Sequence, residues 1–235
     1  MDAMPPLVLP VDLRDAERRD PMDFYVPDDV TDPVPAILVV HGGPLPAEVR
    51  PRPRDWPVFR SYGSLLAARG AMGATVDHGL YSPADCPAAA ADIAAAVETL
   101  RTDPRVDADR VALWFFSGGG LLSAPWLREP PSWLRCVALT YPLLAPREGW
   151  PVDASFRPVE AVAGAGDLPI VLTRAGLEKP DVAAGVEQFV TAAAKARLQI
   201  IDVPLGRHGF DYLDDDDDSR AAITRALDLV LAEVG

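Results

Sequence analysis

The stretch that most limits how this chain can fold is Val111-Ala112-Leu113-Trp114-Phe115-Phe116-Ser117-Gly118-Gly119-Gly120. Its apolar and aromatic part carries no charge, the pattern of a strand covered on both faces. The run stops at a serine followed by glycines, so the chain must leave the sheet abruptly. A strand that turns into a helix at a serine lifts the hydroxyl clear of the sheet. Glycine at the next positions lets that helix begin close to the strand. The pattern Gly-x-Ser-x-Gly that marks such turns is met at Gly119, whereas Phe115 stands where the first glycine belongs.

A strand buried on both faces needs parallel neighbours and covering helices, and the rest of the chain alternates accordingly. Leu7–Val11 and Met22–Pro27 read as an antiparallel pair at a sheet edge, separated by a charged turn at 14–20. Pro35–Val40 is a continuous apolar run that ends at His41-Gly42-Gly43-Pro44, and a proline-rich loop follows. Val58, Phe59, Tyr62, Leu65 and Leu66 share one face of a helix closed by Gly70. Met72–Asp77 is a strand, the loop His78–Ser82 follows, and 83–101 is an alanine-rich helix. Asp107–Arg110 forms the entry turn to the serine-ending strand. Further strands are expected at Arg135–Tyr141, Leu168–Thr173 and Leu198–Val203. Helices follow around Val182–Ala193 and Ile223–Val234.

This pattern predicts an α/β chain: a mainly parallel, doubly wound sheet with right-handed crossovers and an antiparallel N-terminal edge. Its 235 residues, about half apolar at 49 %, suit a single domain over 1–235. The irregular stretch 142–167 is the longest insertion and is short for a lid.

Charge and composition exclude several function classes. A net charge of −13 argues against nucleic acid and anionic membrane surfaces, because phosphate recognition relies on clustered Lys and Arg. Met1-Asp2-Ala3-Met4-Pro5-Pro6 has neither a basic start nor a long apolar stretch, and no uncharged run is long enough to span a bilayer. Cys86 and Cys136 read as two reduced thiols, so a cytoplasmic protein is expected. The acidic run Asp214–Asp218 reads as solvated charge at a helix start and not as a metal site. No phosphate-loop motif is present, and neither a metal nor a cofactor is expected.

In open α/β sheets, function gathers beyond the carboxyl ends of the strands. There the chain places His41, Asp77-His78, Ser117, Glu178 and His208. A serine hydroxyl is a poor nucleophile without a base, and His208, in Gly206-Arg207-His208-Gly209-Phe210-Asp211, follows the last strand. The base needs a carboxylate to hold its tautomer; Glu178 directly follows the preceding strand, with Asp181 as the alternative. Acyl chemistry also needs N–H donors for a developing oxyanion. Gly118, after the serine, is one. Gly43 is the second, with Gly42 behind it, since Pro44 has no N–H. His41 is expected to shape that loop. His41, Gly42, His78 and Tyr81 are candidate pocket residues, His78 alternatively satisfying local backbone. Trp126, Trp133 and Trp150 are candidates for the pocket border or for packing.

Together, the His-Gly-Gly-Pro loop, Asp77-His78, the Ser-Gly-Gly-Gly turn, Ala175-Gly176-x-Glu178 and His208-Gly209-Phe210-Asp211 resemble the dienelactone hydrolase-like branch of the α/β-hydrolase superfamily. The set is also similar to compact esterases and to the catalytic domains of prolyl-oligopeptidase-type peptidases. The resemblance runs from about residue 22 to the end. It implies an α/β-hydrolase fold, with Ser117 as nucleophile, His208 as base, Glu178 as acid, and the amides of Gly43 and Gly118 as oxyanion hole. The chain order Ser117…Glu178…His208 agrees. Two positions depart from the family pattern: Phe115 adds bulk at the turn, and Glu178 stands where aspartate is usual.

The expected activity is therefore hydrolysis of a carboxylic ester or related acyl bond of a small molecule, through a Ser-His-Glu triad and an acyl-enzyme. Peptidase action is not expected without a propeller or other gating domain. The alternative is a protein of this fold whose hydrolysis is lost or diverted: a binding or accessory protein, or an acyl-transfer or cyclising enzyme.

Overall fold

In a computed structural model that describes residues 4–235, the charge-free run lies at the centre of the sheet. Residues 1–3, part of the N-terminal stretch read for a leader, lie outside the described residues. The run forms the second half of β5 (Val106–Phe116), with β3 (Val34–Val40) and β6 (Leu134–Thr140) parallel on either side. Beyond β3 come β4 (Met72–Val76), then β2 (Met22–Tyr25) and β1 (Glu17–Arg19), both antiparallel. Beyond β6 lie β7 (Ile170–Leu177) and β8 (Leu198–Arg207), both parallel. The order among the described residues is therefore β1-β2-β4-β3-β5-β6-β7-β8.

Successive side chains of a strand point to opposite faces, and the aromatic run of β5 divides in this way. Leu113 and Phe115 enter one core with α2 (Cys86–Arg101), α3 (Ala124–Arg128), α4 (Pro158–Ala161) and α5 (Pro180–Ala192). Trp114 and Phe116 enter the other core with α1 (Pro57–Ala68), α6 (Phe210–Leu213) and α7 (Asp217–Val234). Both faces are covered, which explains why β5 tolerates no charge after Arg110. Helix α1 begins at Pro57, where a missing N–H costs nothing, and Gly70, at φ +82°, follows its end. It packs very close to the sheet: a Cβ on Gly73 of β4 would lie 2.6 Å from the Gly63 carbonyl oxygen in α1.

Several expectations shift. Leu7–Val11 is not a strand. Leu7 is buried in the core shared with α1 and α7, Val8, Leu9 and Val11 pack on it, and Val8 N–H donates to the Asp211 carbonyl at 2.8 Å. The antiparallel edge exists, but its first strand is Glu17–Arg19, inside the expected charged turn. Ion pairs hold it. Arg105 grips Glu17 through two hydrogen bonds of 2.7 and 2.9 Å, and Arg19 donates to Asp103 at 3.0 Å. Charge on a sheet edge also discourages pairing with other chains. The entry turn Asp107–Arg110 is a bulge within β5: Val34 pairs with Val106, yet Ala36 pairs with Val111. Strands β7 and β8 run on to Leu177 and Arg207, past their expected ends.

The stretch 142–167 is packed against the sheet. Leu143, Leu144, Val152, Phe156 and Val162 are buried in the core that also holds α3 and α5. The acidic run caps and pairs: Asp216 accepts from Ser219 N–H at the start of α7, and Asp214 accepts from the Arg207 backbone N–H at 2.8 Å. No helix among the described residues is long and apolar enough to cross a membrane.

Candidate active site

Strands β3, β5, β7 and β8 run parallel, so the segments that follow them emerge at one rim of the sheet. Ser117 follows β5 with φ +50°, a left-handed backbone that residues with a side chain rarely adopt. The chain continues as a 3-10 helix, Ser117–Ser123, before α3. The tightness of this turn fixes the next residue as glycine: a Cβ on Gly118 would lie 1.6 Å from the Gly43 carbonyl oxygen. Phe115 does not open the turn. It is fully buried in the core beneath α2 and α3 and remains paired with Val40 and Leu139.

Ser117 Oγ lies 2.7 Å from His208 Nε2. His208 Nδ1 hydrogen-bonds Glu178 Oε2, and the other carboxylate oxygen accepts Lys179 N–H at 2.8 Å. With its proton on Nδ1, the imidazole donates to the carboxylate and leaves Nε2 free to accept from the hydroxyl. Glu178 is largely buried, with 5 % of its side chain exposed. Glu178 directly follows β7, whose last residue, Leu177, lies opposite Arg207 of β8. Asp181 is not in this chain of bonds; it pairs with Arg147 at 3.0 Å.

Gly43 lies against the serine turn: a Cβ on Gly118 would also come within 3.1 Å of the Gly43 amide nitrogen. His41 Nδ1–H donates to the Gly42 carbonyl at 2.6 Å. Its ring stacks on His78 at 3.8 Å, and His78 Nε2–H donates to the His41 carbonyl at 3.1 Å. Burial holds His41 well below the ordinary histidine range and brings His78 down to about 4, so both rings are neutral near pH 7.

A cavity of about 700 Å³ opens over Ser117 and His208. Gly42, Gly43 and Gly118 form part of its floor. Trp56, Phe59 and Trp150 supply apolar wall, and Arg147 and Lys179 supply charge. His41, His78 and Tyr81 are not among its lining residues, and His78 instead serves the local backbone, bonding the His41 carbonyl and the Leu80 N–H. They border a separate small crevice, and Gly79 N–H of the same loop donates to Asp92 of α2 at 2.8 Å. Trp126 and Trp133 pack on each other, edge to face at 5.6 Å, and partly cover the core. Among the described residues, no cluster of three His, Cys, Asp or Glu side chains could hold a metal ion.

A protein-family model described as BD-FAE matches residues 22–125. Among solved structures, esterase 2 of Thermogutta terrifontis phosphoramylated by tabun aligns with a TM-score of 0.69, at 19 % identity over 96 % of this chain and 95 % of that one. The native form of that esterase aligns at 0.67, with 18 % identity over 97 % and 92 %. Its propionate-bound form aligns at 0.68, with 19 % identity over 98 % and 96 %. The chain has the α/β-hydrolase fold. No curated protein sequence matches it. These matches do not single out the dienelactone hydrolase-like branch.

Within the α/β-hydrolase fold, sequence reasoning missed two groups of residues. The cavity residues Trp56, Phe59, Arg147 and Lys179 carry no motif and come from three separate segments. Asp211 stands in the His208-Gly209-Phe210-Asp211 segment without a role assigned. It is fully buried and accepts the hydroxyls of Tyr62 and Tyr141 at 2.9 and 3.0 Å.

Proposed function

We propose that the protein is a serine hydrolase that cleaves carboxylic esters of small or medium acyl groups. The observation that carries this reading is the unbroken hydrogen-bond chain Ser117–His208–Glu178, set at a left-handed turn on the floor of a cavity. Ser117 Oγ attacks the ester carbonyl while His208 Nε2 takes its proton. Glu178 holds the imidazole through Nδ1 and stabilises the imidazolium. The tetrahedral oxyanion is held by the N–H groups of Gly43 and Gly118, each worth roughly 3–4 kcal/mol by analogy with other oxyanion donors. His208 then returns the proton to the departing alcohol, and water, activated by the same imidazole, releases the acid.

The likeness to an esterase that organophosphates modify and that binds propionate supports an acyl-hydrolase reading of this chain. The non-hydrolytic reading drew on Phe115 and Glu178. Both are accommodated without loss of the turn or the hydrogen bonds, which favours hydrolysis. The reading takes residues 1–235 as one domain acting on a small-molecule ester in the cytoplasm.

The test is labelling with an alkyl fluorophosphonate, followed by peptide mapping, alongside turnover of p-nitrophenyl esters of graded chain length. Label on Ser117 with turnover of the shorter esters is expected. A protein that takes no label and cleaves none of them is not a serine esterase.

A further inference from the structure

Tyr141 carries a conformation and a set of contacts that the proposed chemistry leaves unused. It follows β6 with φ +36°, and its N–H donates to the Thr173 carbonyl at 2.9 Å. The ring lies 4.9 Å from the His208 ring, centroid to centroid, inclined at 57°. Its hydroxyl donates to Asp211 Oδ2 at 3.0 Å, and Asp211 stands three residues beyond His208. Tyr62 donates to the same oxygen at 2.9 Å, but its own ring packs on Trp114 and Phe116 at 5.2 and 4.8 Å.

The bond from Nδ1 to Glu178 fixes one edge of the imidazole, and rotation about its Cβ–Cγ bond decides whether Nε2 stays aimed at Ser117 Oγ. His208 is 35 % exposed toward the cavity, so only packing from the protein side can set the ring plane. Tyr141 provides that packing, and a buried carboxylate anchors the far end of its ring.

We propose that Tyr141 is a positioning residue for the base: its ring, anchored through its hydroxyl to Asp211, holds the His208 imidazole in line with Ser117 Oγ. The inference rests on the serine-hydrolase reading above.

The test compares Tyr141→Leu, Tyr141→Phe and Tyr62→Phe in the full chain, with p-nitrophenyl butyrate turnover and the rate of fluorophosphonate labelling. Tyr141→Leu lowers kcat and the labelling rate by about 10-fold or more with KM little changed, the effect of misaligning a reacting group. Tyr141→Phe keeps the ring and loses only the anchor, so kcat falls by about two- to five-fold, between wild type and Tyr141→Leu. Tyr62→Phe removes a hydrogen bond from the same carboxylate away from His208, and its kcat stays at the wild-type value. Wild-type kcat in Tyr141→Leu, or equal kcat in Tyr141→Phe and Tyr62→Phe, overturns the inference. Should Tyr141→Leu not fold, the second comparison decides alone. A wild-type protein that takes no label at Ser117 removes the hydrolase reading and this inference with it. Labelled wild type with indifferent Tyr141 variants removes only the inference.

Discussion

Ser117, Glu178 and Asp181 show how one hydrogen bond separates a site residue from its neighbours. Ser117→Ala removes the proposed nucleophile without touching the core. Ester turnover is expected to fall by roughly 10⁴–10⁶-fold with an unchanged melting temperature, measured on the same preparation. Glu178→Gln keeps the shape and removes the charge that, in the proposed mechanism, stabilises imidazolium, so kcat is expected to drop by roughly 10³–10⁴-fold. Asp181→Asn only loosens a half-exposed ion pair with Arg147 and is expected to leave kcat within about two-fold of wild type. A large loss at Asp181 and none at Glu178 would reassign the acid. Asp211 supplies a pH signature. Burial raises its carboxyl to about 6, although two tyrosine hydroxyls stabilise the charged form. Between about pH 4 and 6 the folded chain therefore binds more proton at this site than the unfolded chain, whose carboxyl titrates near 3.9. Stability from this group falls as pH rises through that window. The wild-type unfolding free energy, relative to Asp211→Asn, is expected to decline by on the order of 2 kcal/mol across it, as read by urea denaturation at each pH.

At the scale of elements, the contact between α1 and β4 depends on two backbones meeting where neither carries a side chain. Gly73→Ala puts a methyl 2.6 Å from the Gly63 carbonyl oxygen, and backbone cannot yield as a flexible side chain does. The urea midpoint is expected to fall by an amount equivalent to about 2 kcal/mol or more, with kcat of the folded fraction retained. The elements also show what was legible. Apolar runs at 35–40 and 111–116 read correctly because a strand covered on both faces has one local pattern. Leu7–Val11 has the composition of a strand, but its side chains cover a core and its backbone answers Asp211. Glu17–Arg19 has the composition of a turn, and partners in sequence-distant Asp103 and Arg105 make it a strand. Composition cannot distinguish covering from pairing, since both remove apolar surface from water.

Over the whole molecule, a net charge of −13 sets carboxylates against one another, and arginine pairing offsets part of that repulsion. The group of Glu17, Arg19, Asp103 and Arg105 ties the β1 edge to the turn before β5. Hydrogen bonds from Arg105 hold the Asp103 and Glu17 carboxyls below the usual carboxylate range. For such groups the stabilisation is complete above the unfolded pKa and is lost as pH falls through the lower folded value. Asp103, with 1 % of its side chain exposed, is the buried member. Asp103→Asn is expected to cost about 3 kcal/mol near neutral pH and to flatten the acid limb of a melting-temperature profile from pH 6 to 3. An unchanged acid limb would show that stability at low pH is controlled elsewhere.

The alternation of strand and helix, the serine turn, and the order of serine, acid and histidine were all determined by the chain itself. They depend on periodicity and on backbone sterics that act over a few residues. Which carboxylate meets His208, which glycines crowd Ser117, and whether Tyr141 packs on the His208 ring were decided only in three dimensions. Ser117 and His208 lie 91 residues apart and His208 and Glu178 lie 30 apart, so their meeting depends on how far β7 and β8 run and on the register between them. Register is a property of packed layers, and no local stretch of sequence carries it.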